Sequence, residues 1–202
     1  EILETTLDAM AQRGLYDHVE GGFFRYTVDP GWSVPHFEKM LYDNAQLARL
    51  YLEAGKVWRR EDYSAVGFAV LDFMLARMQT GNGAMVASLS AVDDQGREGA
   101  YYLYDDDALN SALTHDEQRV LRAVWSLPKA AAFEFGHLLV NKAPPEVAAI
   151  QLGWTPDNIE DTLASAMGKL SALRDGRSLP VDNKALAGWN ALALGAFVEG
   201  AI

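Results

Sequence analysis

Residues 16–44 read YDHVEGGFFRYTVDPGWSVPHFEKMLYDN and form the most informative part of the chain. Glycine and proline interrupt the first half of this stretch, so residues 14–35 are predicted to be irregular. Pro35 is suited to the first turn of a helix, and the apolar spacing after it predicts a long helix to about Glu53, ended by Gly55. A loop that leads into a long helix is a common place for functional side chains.

The sequence as a whole predicts a single helical domain, residues 1–202, with one β-hairpin. Strand-like residues 85–89 and 100–104 flank the turn chemistry of residues 93–99 and predict the hairpin. Thr114 and Glu117 form a capping-box pattern that opens a helix. The other helices are predicted from helical apolar spacing at about residues 2–13, 61–79, 156–175 and 183–201. The last of these is apolar on nearly every side, which is typical of a helix buried from several directions.

Composition excludes several classes of protein. The chain has 202 residues, a net charge of −11 and no cysteine, and 50% of its residues are hydrophobic. That is enough for a core, but no basic stripe for nucleic acid and no polybasic membrane patch is present. No apolar run is long enough to span a bilayer, and the first residues lack a signal-peptide pattern. The sequence predicts a cytoplasmic protein without thiol chemistry, nucleic-acid partner or membrane partner.

The 16–44 stretch also concentrates the residues that could carry chemistry. Aromatic residues, carboxylates, Arg and His occur together in it, and this mixture suits a sugar, whose ring faces stack and whose hydroxyls hydrogen-bond. We predict His36, Glu38 and Asp29 as catalytic residues, because a His at a helix start beside carboxylates can move protons. The alternative is structural, with aromatic side chains filling a core beneath the loop and His36 acting as a cap.

The predicted substrate-binding residues extend this set into two helices. Asp43 and Asn44 interrupt a good helical pattern, which marks either a site or a buried hydrogen-bond network. Asn190 has the same two interpretations, and the structural one is favoured. The absence of metal-ligand spacing predicts no metal site, and no cofactor is predicted. The predicted binding residues are Asp17, His18, Arg25, Tyr26, Trp32, Asp43, Asn44, Trp189 and Asn190.

Residues 16–26 and 32–47 resemble the signature of the YyaL family of thioredoxin-domain-containing proteins, which is related to spermatogenesis-associated protein twenty. Residues 96–102 and 177–190 agree with later parts of that signature. The resemblance implies an all-α fold, the (α/α)6 toroid shared with N-acylglucosamine 2-epimerases and six-hairpin glycosidases. In such a fold the segments 16–44, 84–104 and 177–190 would surround one ligand-binding mouth.

Three departures from the family pattern limit this expectation. The thioredoxin-like domain is missing, and about seven helices are predicted where a complete toroid has twelve. The chain is therefore expected to be the N-terminal half of a toroid. Two family aspartates fall near Ser90 and Val92 in this sequence, which predicts the loss of any activity that depends on them.

The resemblance and the residues together predict a carbohydrate-binding or carbohydrate-processing domain. An epimerase or isomerase would use His36 with Glu38 or Asp29, while Arg25 and Tyr26 orient the sugar. A glycoside hydrolase would use a carboxylate pair, Asp29 with Glu38 or Asp43. The alternative is a catalytically silent scaffold that docks a thioredoxin-like domain or the missing half, or that forms a homodimer.

Overall fold

A computed structural model describes residues 1–128 and 131–202, and its architecture is helix-rich with two small antiparallel sheets. The helices in these ranges are α1 (Ile2–Gln12), α2 (Leu41–Trp58), α3 (Glu61–Phe73), α4 (Asp106–Ala112), α5 (His115–Val124), α6 (Pro145–Leu152), α7 (Pro156–Asp175) and α8 (Ala187–Ala201). A π-helical turn, Met74–Met78, continues α3. The strands are β1 (Tyr26–Thr27), β2 (Pro35–His36), β3 (Lys39–Met40), β4 (Ser88–Leu89) and β5 (Val181–Asp182).

Two groups of helices build the core. The α2 helix packs against α3 and α8, while α5, α6 and α7 pack against one another. The first group surrounds buried aromatic side chains such as Phe23, Tyr51 and Phe73, and the second surrounds Val120 and Leu170. Burial of these side chains is the main force that holds the helices together. No helix in residues 1–128 and 131–202 combines the length and apolarity that a membrane span needs. The cytoplasmic location stays a prediction.

The two sheets join distant parts of the chain. Strands β1 and β2 pair so that Tyr26 lies opposite His36. In the second sheet β4 is central, with Ser88 opposite Met40 on one side and Asp182 on the other. The segments 16–44, 84–104 and 177–190 therefore meet in space. The toroid itself stays a prediction.

The start of the long helix was predicted wrongly. Pro35 and His36 are extended in β2, and α2 begins at Leu41, after β3. Pairing of β2 with β1 and of β3 with β4 outweighs the local preference for a helix. The helix also continues through Gly55 to Trp58. His36 is consequently not at a helix N-terminus, and the dipole effect expected for it does not apply.

The predicted β-hairpin is confirmed only at its turn, where Val92 and Glu98 form an antiparallel bridge and Asp93 N–H donates to the Arg97 carbonyl at 3.2 Å, whereas its two predicted strands are wrong. Residues 85–89 do not pair with residues 100–104, because Gly99 turns the chain with φ 76° and Tyr102 N–H donates to the Gly99 carbonyl at 2.8 Å. A Cβ at Gly99 would lie 2.6 Å from the Phe37 ring, so the turn packs directly against the core. Buried Tyr101 and Tyr102 side chains produce the strand-like composition.

The predictions for α1, α3 and α7 and for the capping box of α5 are confirmed, whereas the predicted burial of α8 is wrong. In α8 only Ala193 and Ala196 are buried among its described residues. Leu194 is 64% exposed and Val198 52% exposed, so this helix presents an apolar face to solvent.

Candidate functional site

The loop before α2 is shaped by Asp29. Its Oδ1 accepts hydrogen bonds from the backbone N–H groups of Ser33 and Val34 at 2.9 and 2.6 Å, and its Oδ2 accepts one from Gly31 at 2.9 Å. These hydrogen bonds lower the pKa of the Asp29 carboxyl, and the bond from Val34 has the largest effect. Both oxygens are thus occupied by the turn, and the catalytic role predicted for Asp29 would require that turn to open.

The turn holds Trp32 in a strained backbone conformation. Its φ is 58°, in the left-handed region that bulky residues rarely adopt. Its carbonyl accepts a hydrogen bond from Gly14 N–H at 2.7 Å, which ties the turn to the end of α1. Strain of this kind persists where the surrounding structure imposes it, and such positions are frequent at binding sites.

Trp32 lines a cleft of about 480 Å³ that we call the Asp43 cleft. Four predicted binding residues, Arg25, Tyr26, Trp32 and Asp43, meet there. The complete lining is Met10, Leu15, Phe24, Arg25, Tyr26, Thr27, Trp32, Asp43, Gln46 and Leu47. The volume and the mixture of aromatic and convergent polar side chains are those of a small-molecule site.

Asp43 is the most unusual group in this cleft. It lies in the first turn of α2, and its Oδ2 is buried with no hydrogen-bond partner among the described residues. Burial raises the pKa of Asp43 to about 6, the nearby Arg25 opposes this shift, and Glu38 adds to it. The carboxyl therefore holds a proton at a pH where an ordinary Asp has lost it.

Glu38 does not line the Asp43 cleft, but it contacts Arg25, which does. Its Oε2 accepts a hydrogen bond from Arg25 Nη1 at 3.0 Å, and its backbone carbonyl accepts one from Arg25 N–H at 2.8 Å. The positive charge of Arg25 is thereby already paired with the Glu38 carboxylate. Arg25 lowers the pKa of Asp43 and Glu38 raises it, so the three charged groups interact electrostatically.

His36 lies behind Tyr26 rather than in the Asp43 cleft. The two rings stack with centroids 5.0 Å apart and planes at 20°. His36 Nδ1 is 3.0 Å from Glu98 Oε1, and its Nε2 is 3.9 Å from Glu38 Oε2. His36 also lines a separate pocket of about 300 Å³. Glu98 was missed because it belongs to a turn 62 residues away that sequence reasoning treats as solvated.

Asn44 and Asn190 hold the backbone around the site. Asn44 is fully buried and bridges Phe23, accepting from its N–H at 2.7 Å and donating to its carbonyl at 3.1 Å. Asn190 makes the same pair of bonds to Met85, at 2.8 and 3.0 Å. Trp189 packs edge-on against Tyr42 at 4.7 Å and is not part of the cleft lining.

Asp17 lies in the core, within what we call the buried charge cluster: Asp17, Glu20, Lys39 and Arg174. Asp17 Oδ2 is 2.7 Å from both Lys39 Nζ and Arg174 Nη1, and all three side chains are at most 1% exposed. Arg174 Nη1 also reaches Glu20 at 3.2 Å. A sugar could not contact Asp17 without opening this cluster. Sequence reasoning missed Lys39 and Arg174 because such side chains are normally exposed.

The remaining predicted residue, His18, lines a different cleft from Asp43. In residues 1–128 and 131–202, no three His, Asp or Glu side chains are grouped so that they could hold a metal ion.

Comparisons with known proteins identify relatives, but the names of these relatives specify no chemical activity. No protein-family model matches the chain. Human spermatogenesis-associated protein 20 is 31% identical over 226 residues, which covers 98% of this chain and 28% of the human protein. The mouse protein of that name is 29% identical over 217 residues, with 95% and 28% coverage. An uncharacterised Caenorhabditis elegans protein is 47% identical over 60 residues, 30% of this chain and 8% of that protein. The chain thus spans about 28% of the length of the mammalian relatives it matches.

Proposed function

Since the chain is related to spermatogenesis-associated protein 20, whose name specifies no chemistry, we propose a function from the Asp43 cleft: a carbohydrate-binding or carbohydrate-processing domain. The reaction class is acid–base chemistry of the epimerase, isomerase or glycoside hydrolase type. The observation that carries the proposal is the buried carboxyl oxygen of Asp43 in an aromatic cleft, which has no hydrogen-bond partner within the part of the chain that the structure describes. A buried polar atom without a partner is costly, and a ligand hydroxyl would satisfy it.

The cleft favours a neutral sugar. Trp32 and Tyr26 offer ring faces for stacking, and Asp43 and Gln46 offer hydrogen bonds to hydroxyls. Arg25 is already paired with Glu38, and the net charge of −11 repels anions. A phosphorylated or carboxylated sugar would therefore bind less well than its neutral counterpart.

In this proposal Asp43 and Glu38 carry the proton transfers. Asp43 donates a proton to a ligand oxygen, since it keeps that proton up to about pH 6. Glu38 accepts a proton. His36 contacts Glu38 and positions it, and Tyr26 holds His36 in place by stacking on its ring. We also propose that the helix-rich fold is half of an α/α toroid. The meeting of segments 16–44, 84–104 and 177–190 in one sheet supports this part of the proposal.

Asp43→Asn tests the proposed site. We expect saturation-transfer NMR to detect binding of at least one neutral sugar among glucose, mannose, N-acetylglucosamine and N-acetylmannosamine, and weaker binding of glucose 6-phosphate. The variant should bind the same sugar about tenfold more weakly, since it loses a hydrogen bond to an ionisable group. Glu53→Gln is the matched control, because Glu53 lies on the same helix in an exposed pair with Arg49. In D2O, loss of the sugar C2–H signal would identify epimerase-type chemistry. Absence of binding by every sugar, or equal binding by Asp43→Asn, would overturn the proposal.

The same variant is expected to be more stable than the wild type at neutral pH. The pKa of Asp43 is 3.8 in an ordinary environment and about 6 in the folded state. Between these values the folded state holds a proton that the unfolded state has released, so stability falls as pH rises through this range. Asn does not titrate. Urea unfolding should therefore show a gain for Asp43→Asn at about pH 7.5 that disappears near pH 4. No pH dependence of the gain would mean that Asp43 titrates normally.

The exposed face of α8 favours the second candidate function, an interaction or scaffold domain that self-associates. Leu194 and Val198 are more than half exposed, and the helix has one charged residue, Glu199. Exposed apolar patches of this kind mark association sites. We expect Leu194→Glu to abolish any dimer seen by sedimentation velocity, whereas Ile150→Glu, at an 84% exposed position on α6, should leave it intact. A wild-type monomer at high concentration would rule out self-association.

A further inference from the structure

A second cleft, which we call the Trp125 cleft, lies between the end of α5, the start of α6 and α7. Its volume is about 570 Å³, and it shares no lining residue with the Asp43 cleft. The size is suitable for a small organic molecule. Its apolar walls are formed by Val124, Trp125, Pro144, Pro145, Leu163 and Met167.

The walls of this cleft are fixed by hydrogen bonds within the protein. Trp125 is 4% exposed, and its indole N–H donates to Asn141 Oδ1 at 2.9 Å. Lys142 N–H donates to the Val124 carbonyl at 2.8 Å, which holds the two sides of the loop together. Pro144 and Pro145 then restrict the backbone at the rim. A preformed cleft of this kind does not have to order its walls when a ligand binds.

His18 supplies a hydrogen-bond acceptor to the cleft. Burial lowers the pKa of the His18 ring, so the ring is neutral at pH 7. Its Nε2 lies 3.2 Å from the Arg13 carbonyl, and a neutral ring can make this bond only if Nε2 carries the proton. Nδ1 is then the ring atom that can accept a hydrogen bond, and His18 is among the residues that line the cleft. Tyr16 packs edge-on against the ring at 5.2 Å and holds its orientation.

We propose that the Trp125 cleft binds a small aromatic molecule that carries one hydroxyl or N–H donor. The donor would bond His18 Nδ1, and the ring would pack against the proline, Leu163 and Met167 walls. A sugar is the wrong ligand here, because most of its hydroxyls would face apolar walls and remain unpaired. The inference is independent of the function proposed for the Asp43 cleft.

Phenol and toluene form a nearly isosteric pair of probes, in which the hydroxyl donor of one replaces the methyl group of the other. We expect phenol to shift the Trp125 indole N–H signal in a saturable way, with the signal assigned through Trp125→Phe. Phenol should bind about fivefold more tightly than toluene, the usual difference for one hydrogen bond. His18→Phe should reduce phenol to the affinity of toluene. His115→Phe is the control, since His115 is 88% exposed.

Thermal unfolding of each variant shows whether the comparison is valid. If His18→Phe does not fold, Met167→Trp provides the second test, because it fills the cleft and should abolish binding of both probes. The proposal is overturned if phenol gives no saturable shift, if phenol and toluene bind equally, or if a folded His18→Phe or Met167→Trp binds phenol as the wild type does.

Discussion

Replacing Arg174 by Met is expected to lower the free energy of unfolding by about 3–5 kcal/mol, because it leaves buried charges without a partner. Arg174 is 1% exposed, and its Nη1 bonds Asp17 at 2.7 Å while its Nη2 donates to the Tyr102 carbonyl at 2.9 Å. Through these bonds the cluster connects α7 to the loop that carries the site. Asp17 bonds Lys39 of β3 as well as Arg174, so loss of Arg174 is expected to weaken both the core and the attachment of β3 to it.

The charges of the cluster are strongly interdependent. Burial alone would raise the pKa of Asp17, but Arg174 and Lys39 outweigh that effect and hold the pKa well below its usual range. Asp17 therefore contributes stability above its unfolded pKa of about 3.9, and this stability is lost as the pH falls below it. Lys39 has lost its hydration and has aromatic neighbours, the nearest being Phe73 with its ring centroid 4.3 Å from Nζ.

Urea unfolding of Arg174→Met, Asp17→Asn and the double variant measures this interdependence. We expect the double variant to lose less than the sum of the single losses, by about 1–3 kcal/mol, because each single change strands the other partner. Arg49→Met is the control. Its pair with Glu53 is exposed on both sides, and such pairs contribute about 0–1 kcal/mol. Additive losses, or a loss below about 1 kcal/mol for Arg174→Met, would contradict the assignment of the cluster as a coupled unit.

The helices could be predicted from the sequence because their signals are local. The capping box of Thr114 and the proline at the start of α7 act within one turn, and both predictions are confirmed. The strands could not be predicted, since each has two residues and depends on a distant partner. Pro35 is an example. Proline favours the first turn of a helix, but the pairing of β1 with β2 keeps this residue extended.

The candidate site divides in the same way. Arg25, Tyr26, Trp32 and Asp43 could be selected because one short segment supplies all four. Glu98 and Arg174 could not, because they reach the segment from 62 and 157 residues away along the chain. The exposure of α8 was missed for a different reason. Apolar composition predicts burial, but what covers a helix depends on its neighbours.

Asn44→Ala is expected to destabilise the protein by about 3–5 kcal/mol, because buried backbone groups would lose their partners. Its amide bonds the N–H and carbonyl of Phe23 and donates to the Met40 carbonyl at 2.9 Å. Gln46→Ala, in the same helix, should cost almost nothing, since its amide bond to the Tyr42 carbonyl is exposed. A loss below about 1 kcal/mol by urea unfolding would show that water replaces Asn44 readily.

Asp43 and Asn44 are adjacent polar residues that break the same helical pattern, and sequence alone leaves both a site and a hydrogen-bond network open for them. The two side chains point in different directions. Asn44 points into the core and its hydrogen bonds are made, whereas Asp43 borders the cleft, and one of its oxygens has no partner among the described residues. Opposite results are therefore expected from the two variants. Asn44→Ala should lose stability, whereas Asp43→Asn should lose sugar binding and gain stability at neutral pH. If both variants lost stability equally, the unpaired oxygen would belong to the fold, and the functional assignment of the cleft would fail.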